Sequence, residues 1–325
     1  MKALVLGGGG RKAAVQIGCI RHLLDAENID YDIYTGISAG SLNASILASG
    51  PLKETLPKLE KIWLEDIKGN HSIWKHHLWY YIFFGICLII FFVICTLISF
   101  LFDFNKLITV SFVLLSLISL YVPYYSLRKT KSIYKTEPLR ELITKNLDIE
   151  LLKSSGKKLK VGAICYETGE YHSVDENNDK IIDWIMASSA FPIFFPMVEI
   201  DGKHWTDPGI VNVASLYDAI ALGATEIDII ICNTIDPGIQ NKLGLPYQFE
   251  RTLDLMSAEI LSNDIIICRS HANIRIFMPS TSLGASSLNF DPDKITKMRD
   301  IGLEIGKHPI IIQPKLPSIF PLRKH

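Results

Sequence analysis

The chain has 325 residues, 48% of them apolar and 21% charged, with a formal net charge of −1. That length suits one or two domains. A charge near zero, with a pI near 6.8, gives no broad electrostatic basis for binding nucleic acid. The six cysteines, Cys19, Cys87, Cys95, Cys165, Cys232 and Cys268, show no C-x-x-C spacing, so free buried thiols in a reducing compartment are expected. No metal-ligand cluster is visible and no cofactor is expected.

Met1 to Leu6 reads as a buried first strand. Its apolar stretch, Ala3 to Leu6, is too short for a signal peptide and runs at once into glycines. Gly7-Gly8-Gly9-Gly10-Arg11-Lys12 follows, then a helical pattern from Ala13 to Leu24. A glycine loop between strand and helix presents bare N–H groups at a helix N-terminus, a place for a phosphate or for the oxyanion of an acyl-transfer intermediate. Taken alone, the loop suits either. Ala13 stands where the G-x-G-x-x-G dinucleotide fingerprint, counted from Gly8, needs its last glycine, and no Gly-Lys-Ser/Thr follows to make a Walker loop.

The apolar run Tyr31 to Thr35 then leads into Gly36-Ile37-Ser38-Ala39-Gly40, and a helical stretch from Leu42 to Ala48 follows. Strand, tight turn with a central serine, and helix make the layout of a nucleophile elbow. Side chains at Gly36 and Gly40 would collide with neighbouring backbone in such a turn, and Ser38 would stand at a helix N-terminus, where negative charge is favoured.

Leu78 to Phe102 carries no charged side chain and is long enough to cross a hydrocarbon core of about 30 Å. Asp103-Phe104-Asn105-Lys106 breaks it, and Leu107 to Leu127 is a second uncharged stretch. Trp79, Tyr80 and Tyr81 at one end, with Tyr121, Tyr124 and Tyr125 at the other, would form one aromatic belt, and His76 and His77 read as interfacial. This is the pattern of a transmembrane hairpin, with a buried helical pair or a re-entrant loop as the alternatives. Lys68, Lys75, Arg128, Lys129, Lys131 and Lys135 flank the pair, whereas the turn holds only Lys106, offset by Asp103. The positive-inside rule therefore puts both flanks in the cytoplasm. An integral membrane protein with two transmembrane helices and a cytoplasmic main domain is expected.

Beyond Pro138, helices and strands alternate: strands at Lys158 to Cys165, Tyr171 to Val174, Glu226 to Cys232 and Asn273 to Met278; helices at Ile181 to Ala190, Leu216 to Leu222, Phe249 to Ser270 and Pro292 to Gly306. Such alternation argues an α/β sheet with helices on both faces. The expected organisation is 1–70 and 132–310 as two parts of one domain, 78–127 as the hairpin, and 311–325 as a proline-rich, solvated tail.

Two further segments complete the picture. Ala187-Ser188-Ser189-Ala190-Phe191-Pro192-Ile193-Phe194-Phe195-Pro196 ends a helix, and Asp201-Gly202-Lys203-His204-Trp205-Thr206-Asp207-Pro208-Gly209 follows. With these, the sequence resembles the patatin-like phospholipases. Gly8 to Lys12 is similar to that family's oxyanion loop, Gly36 to Gly40 to its nucleophile block, and Ala187 to Pro196 to its Ala-Ser/Pro segment. Asp207-Pro208-Gly209, with Asn212 and Asp218 to Ala224, is similar to its aspartate block. The resemblance covers 1 to about 66 and about 136 to 235, leaving out the apolar segment. Two positions depart from the pattern: Ala13 stands for a usual glycine, and Pro208 for the glycine after the aspartate. Pro208 lacks an N–H and fixes φ, a change that bears directly on the orientation of Asp207.

The resemblance implies a three-layer α/β/α sandwich, here interrupted by the hairpin, and a Ser–Asp dyad. Ser38 attacks an acyl carbonyl and Asp207 takes its proton, while Gly8, Gly9 and Gly10 hold the oxyanion and water releases the acyl-enzyme. Lys12 steadies the loop or adds positive field, with a solvated lysine at the helix start as the alternative. A phospholipid, lysophospholipid or acylglycerol from the lipid bilayer is the implied substrate. A histidine base is an open alternative, through His204, His271 or His308, none of which sits in a turn motif. Two other readings stand beside the enzyme: a catalytically inactive membrane protein of the same fold that binds a lipid or protein partner, and a nucleotide-binding membrane protein using Gly7 to Gly10. Nothing in the sequence fixes the oligomeric state.

Overall fold

The computed structural model describes residues 1–67, 69, 76–236, 238, 239, 241, 243–283 and 290–312, with the side chains of 76–79 and 246 left aside. Lys68, Lys75, the side chains of His76, His77 and Trp79, and the tail from 313 onward therefore lie outside the described residues. The chain divides into two compact units. One comprises 1–72, 136–192 and 197–325; the other comprises 73–135 and 193–196.

In the first unit, β1 (Lys2–Leu6), β2 (Ile33–Gly36), β3 (Lys158–Cys165), β7 (Glu226–Ile230) and β8 (Asn273–Phe277) form a parallel core in the order β3-β2-β1-β7-β8. β4 (Tyr171–Asp175) and the hairpin β5 (Val198–Ile200)–β6 (Lys203–Thr206) extend it antiparallel beside β3, and β9 (Ile310–Ile312) extends it beyond β8. β1 is apolar from Ala3 to Leu6 because both faces of a parallel sheet are covered, whereas β7 and β8 carry Asp228 and Arg275, which pair with each other at 2.7 Å. Leu4 and Leu6 of β1 enter one apolar core while Ala3 and Val5 enter another. The first core takes its helical residues from α1 (Ala14–Glu27), α2 (Ala39–Leu47), α3 (Leu52–Lys61), α7 (Glu137–Asn146), α8 (Ile149–Ser154), α9 (Ile181–Ser188) and α12 (Pro292–Gly306). The second takes Leu216 and Ala219 from α10 (Leu216–Ala221), and Leu261 and Ile265 from α11 (Leu245–Cys268). Each fully buried large aliphatic among them contributes about 1.5–3 kcal/mol.

Two expectations change here. Residues 311 and 312 belong to the sheet, not to a loose tail, because Ile311 and Ile312 pair with Arg275 and Ile274. Residues 198–206, where the sequence pattern predicts no strand, form a hairpin with a two-residue turn. Asp201 and Gly202 both have positive φ, 54° and 75°. That conformation matches strand twist in tight hairpins and makes Asp-Gly a favoured pair.

The second unit is an antiparallel helical pair. α4 (His76–Leu101) runs to a turn where the Asn105 side chain accepts the Leu107 N–H and starts α5 (Lys106–Ser119). Leu120 has helical dihedrals, so α5 passes almost unbroken into α6 (Tyr121–Lys129). Tyr134 donates its N–H to the Phe194 carbonyl at 2.7 Å and packs its ring on Phe195. Residues 193–196 thus group with this unit, although the sequence pattern joined them to Ala187–Pro192. Cys87 is exposed and Cys95 half-buried, unlike the other four thiols, which are buried as expected.

Candidate active site

β1 and β2 leave the sheet at the same edge, the C-terminal one, where open α/β sheets build their sites. The elbow after β2 is held tightly. An ideal Cβ on Gly36 would lie 2.3 Å from the Gly40 carbonyl oxygen, and one on Gly40 would lie 2.3 Å from the Leu6 carbonyl oxygen. Only glycine lets the two strands and the helix start converge this closely. Between them Ser38 has φ 56° and ψ −131°, a conformation that L residues adopt at a cost of about 1–3 kcal/mol.

Strain of this kind persists only where the surroundings over-determine it. The Ser38 N–H donates to Ser188 Oγ at 3.0 Å, and the Ser38 carbonyl accepts from Ser41 Oγ at 2.6 Å and from Ser189 Oγ at 3.3 Å. The next residue of that segment, Ala190, accepts through its carbonyl the Asp207 N–H at 3.1 Å and Thr206 Oγ1 at 2.6 Å. Residues 188–190 therefore bracket Ser38 and Asp207 together. Their roles were hidden in the sequence behind a short run of small residues.

Asp207 is fully buried. It caps a 3₁₀ turn, Pro208–Ile210, with Oδ1 accepting the Gly209 N–H at 2.8 Å. Pro208 occupies the first position of that turn, where no N–H is needed and the fixed φ fits. It does not turn Asp207 away from the serine. Oδ2 is buried and makes no hydrogen bond of good geometry. Burial pushes the carboxyl up to about 7, against the opposing pull of the neighbouring Ser38 hydroxyl and the Gly209 N–H. The serine–carboxylate contact is loose, as such contacts often are before substrate binds.

The glycine loop lies beside the elbow: a Cβ on Gly8 would come within 3.2 Å of Ser38 Cβ. Its three glycines are not equivalent. The Gly8 N–H donates to the Val213 carbonyl at 3.2 Å and is spent on structure. Gly9 and Gly10 donate to no acceptor among the described residues. Of the three N–H groups expected to hold an oxyanion, that of Gly8 is engaged by the segment after Asp207, and those of Gly9 and Gly10 have no acceptor among the described residues. Lys12 is buried beneath the loop, 3.9 Å from Asp254 on α11. Buried Cys232, whose thiol desolvation pushes up to about 12, packs against Gly9.

Of the histidines considered as bases, His204 is half-buried on β6 with Nδ1 2.7 Å from Glu167, His271 is exposed beside Ser270, and His308 is exposed after α12. Among the described residues no group of three or more metal-ligating side chains occurs.

Among solved structures, the chain is similar to VipD from Legionella pneumophila, at 15% identity and a TM-score of 0.41, covering 96% of this chain and 68% of that one. It is also similar to the type III effector protein ExoU, at 16% identity and a TM-score of 0.32, covering 94% of this chain and 52% of that one. No curated protein sequence matches significantly. The patatin-like phospholipase family model matches residues 4–220, a span that includes the glycine loop, the elbow, the 188–190 bracket and the Asp207 turn. The chain belongs to the patatin-like phospholipase family.

Proposed function

We propose that this protein is a membrane-anchored serine acyl hydrolase that cleaves lipid esters through Ser38 and Asp207. The observation that carries the reading is a serine held at φ 56° beside a fully buried carboxylate whose Oδ2 has no other partner. Serine needs a base within reach to act as a nucleophile. Ser38 Oγ attacks the ester carbonyl carbon as its proton passes to Asp207 Oδ2. The carbonyl oxygen gains the charge and takes the Gly9 and Gly10 N–H groups. Collapse of that intermediate expels the alcohol, which leaves with the proton from Asp207. Water then adds to the acyl-enzyme with Asp207 again as base, the bond from Ser38 Oγ to the acyl carbon breaks as Asp207 returns the proton to Oγ, and the fatty acid departs. The α2 N-terminus behind Ser38 favours the negative charge that develops.

The anchoring rests on the second unit. Tyr80–Leu101 and Lys106–Lys129 are long and apolar enough to span a membrane, at about 1.5 Å per residue. A buried core pair would hide its apolar surface, yet Phe83, Phe100, Leu107 and Ile118 are each more than half exposed. Hydroxyls along the helices are satisfied internally, as a bilayer demands: Thr96 on the Phe92 carbonyl, Ser111 on Leu107, Ser119 on Leu115, and Ser99 with Thr109 across the pair at 2.7 Å. The charge pattern of the flanks supports a cytoplasmic side for the catalytic unit. A phospholipid, lysophospholipid or acylglycerol of the same membrane is the substrate class that such tethering concentrates.

Fluorophosphonate labelling of the purified protein in liposomes, with the adduct mapped by mass spectrometry, tests the reading. An adduct on Ser38 that vanishes in Ser38→Ala and in Asp207→Asn is expected. A folded protein that takes no label, and releases no fatty acid from mixed-lipid vesicles, would overturn it in favour of a silent lipid-binding protein.

A further inference from the structure

Beneath the glycine loop lies a buried polar chain that the chemistry above does not use. Trp63, in a π-helical turn at Ile62–Asp66, donates Nε1–H to Asn43 Oδ1 at 2.8 Å. Asn43 Nδ2 donates to Gln16 Oε1 at 2.7 Å. Gln16 Nε2 donates to the Gly7 carbonyl at 2.7 Å and points its other proton at Cys232 Sγ, 3.6 Å away. Gln16 and Asn43 are fully buried and Trp63 nearly so.

The direction of the chain is forced from both ends. An indole N–H can only donate, so Asn43 must present its oxygen to Trp63 and its nitrogen to Gln16. A backbone carbonyl can only accept, so Gln16 must present its nitrogen to Gly7. Neither amide can flip without leaving two buried groups facing like groups, at about 1–3 kcal/mol each. The far end of the chain acts on a single peptide unit. The Gly7 carbonyl takes Gln16, and the N–H of the same unit, that of Gly8, donates to Val213. With that peptide clamped at both ends, the next two N–H groups, of Gly9 and Gly10, are left without acceptors among the described residues. Gln16 sits on the helix after the glycine loop and Asn43 on the helix after Ser38, so their bond also ties the anion site to the nucleophile.

We infer that Gln16 is a positioning residue for the oxyanion site, oriented by Asn43 and Trp63 through a one-way hydrogen-bond relay. The inference rests on the hydrolase reading for its catalytic consequence, though the clamp itself can be measured without turnover. Packing alone would be served as well by methionine at position 16. The relay would not, because only a donor holds the Gly7 peptide.

The test uses the full-length protein in detergent, with Gln16→Met, Asn43→Leu, their double variant, and Gln16→Glu, in which a protonated buried carboxyl keeps both a donor and an acceptor. Three quantities are read: kcat and KM on a micellar ester, the rate of Ser38 phosphonylation, and hydrogen exchange of residues 7–13. Gln16→Met is expected to lower kcat and phosphonylation by about 10²-fold, the scale of an ångström misplacement, with KM changed less than about threefold. Asn43→Leu should do much the same, and the double variant should be no worse than the worse single, because both break one chain. Gln16→Glu should recover most of the lost rate. Exchange at residues 7–13 should quicken in the methionine and leucine variants while residues 292–306 stay protected. Wild-type kcat and exchange in Gln16→Met would overturn the inference, as would multiplicative losses in the double variant, or losses that track thermal stability with no recovery in Gln16→Glu. A wild-type protein with neither turnover nor adduct would sink the hydrolase reading instead, and the exchange data alone would then decide whether the relay holds the loop.

Discussion

Asp207→Asn should stabilise the protein while it silences it, and the two effects should part company with pH. Asp207 is pushed from its ordinary 3.8 to about 7 by burial. A carboxyl whose folded value is raised binds its proton more tightly in the folded state. Stability from this group is therefore complete below about pH 4 and is lost as pH rises from there to about 7. A rise from 3.8 to about 7 is worth about 4 kcal/mol at most. Asparagine is nearly isosteric, never ionises, and can still accept the Gly209 N–H. Relative to wild type the variant should thus show no gain in Tm at about pH 4, a growing gain through about pH 5 and 6, and a plateau above about pH 7. For a domain of this size the plateau corresponds to about 10 °C. Thermal unfolding in detergent, followed by tryptophan fluorescence from about pH 4 to 8.5, measures it. In the same samples kcat should fall by roughly 10²–10⁴, the range for loss of a general base. A pH-independent difference in Tm, of either sign, would refute the desolvation argument. Undiminished kcat would move the base away from Asp207.

The raised carboxyl also predicts that kcat/KM falls on the acid side with a midpoint near about pH 7, since Asp207 must be ionised to take the Ser38 proton; a limb near about pH 4 would mean an ordinary, solvated carboxylate. Gly40→Ala should lower stability by about 1–3 kcal/mol or more and abolish Ser38 labelling, because its Cβ would meet the Leu6 and Gly7 carbonyl oxygens at 2.3 and 2.7 Å; denaturant midpoints and adduct yield measure both. Pro208→Gly should leave kcat within about twofold and cost about 0.4–1 kcal/mol through the unfolded chain. A large rise in kcat in that variant would show that proline holds Asp207 badly.

How far the sequence reveals this molecule depends on the range of each interaction. β1, β2, β3, β7 and β8 are readable because each carries buried apolar residues, although Lys160, Asp228 and Arg275 interrupt three of them. Gly36, Ser38 and Gly40 are readable because their strain is local. β9 is three residues in a stretch leading to prolines, too short to carry a period. β5 and β6 are short as well, although Asp201-Gly202 between them was a usable hairpin signal. The consequence of Pro208 depends on which position of a turn it fills, and the proposed oxyanion role of the loop depends on which glycine N–H is free. Val213 settles the latter from far along the chain, at a spacing no motif records. The Trp63–Asn43–Gln16 chain is invisible for the same reason: buried amides read as ordinary polar residues until their partners are known.

The sheet order also bears on the membrane reading, independently of the charge pattern. β1 and β2 precede the apolar segment and the other strands follow it, yet β2 pairs with β3 and β1 with β7. The parts before and after the insert are thus neighbours inside one sheet, and neither can complete it alone. Both must lie in one compartment, so an insert that crosses a bilayer must do so an even number of times. Two helices meet that condition and one does not. Replacing residues 78–127 by a flexible glycine–serine linker should release the protein from membranes while Ser38 still takes a fluorophosphonate. Removing only α5 and α6 should leave a single span, divide the sheet between compartments, and abolish labelling. Equal labelling in the one-helix variant would mean that the first helix does not cross, and the pair would then lie along the surface rather than through it.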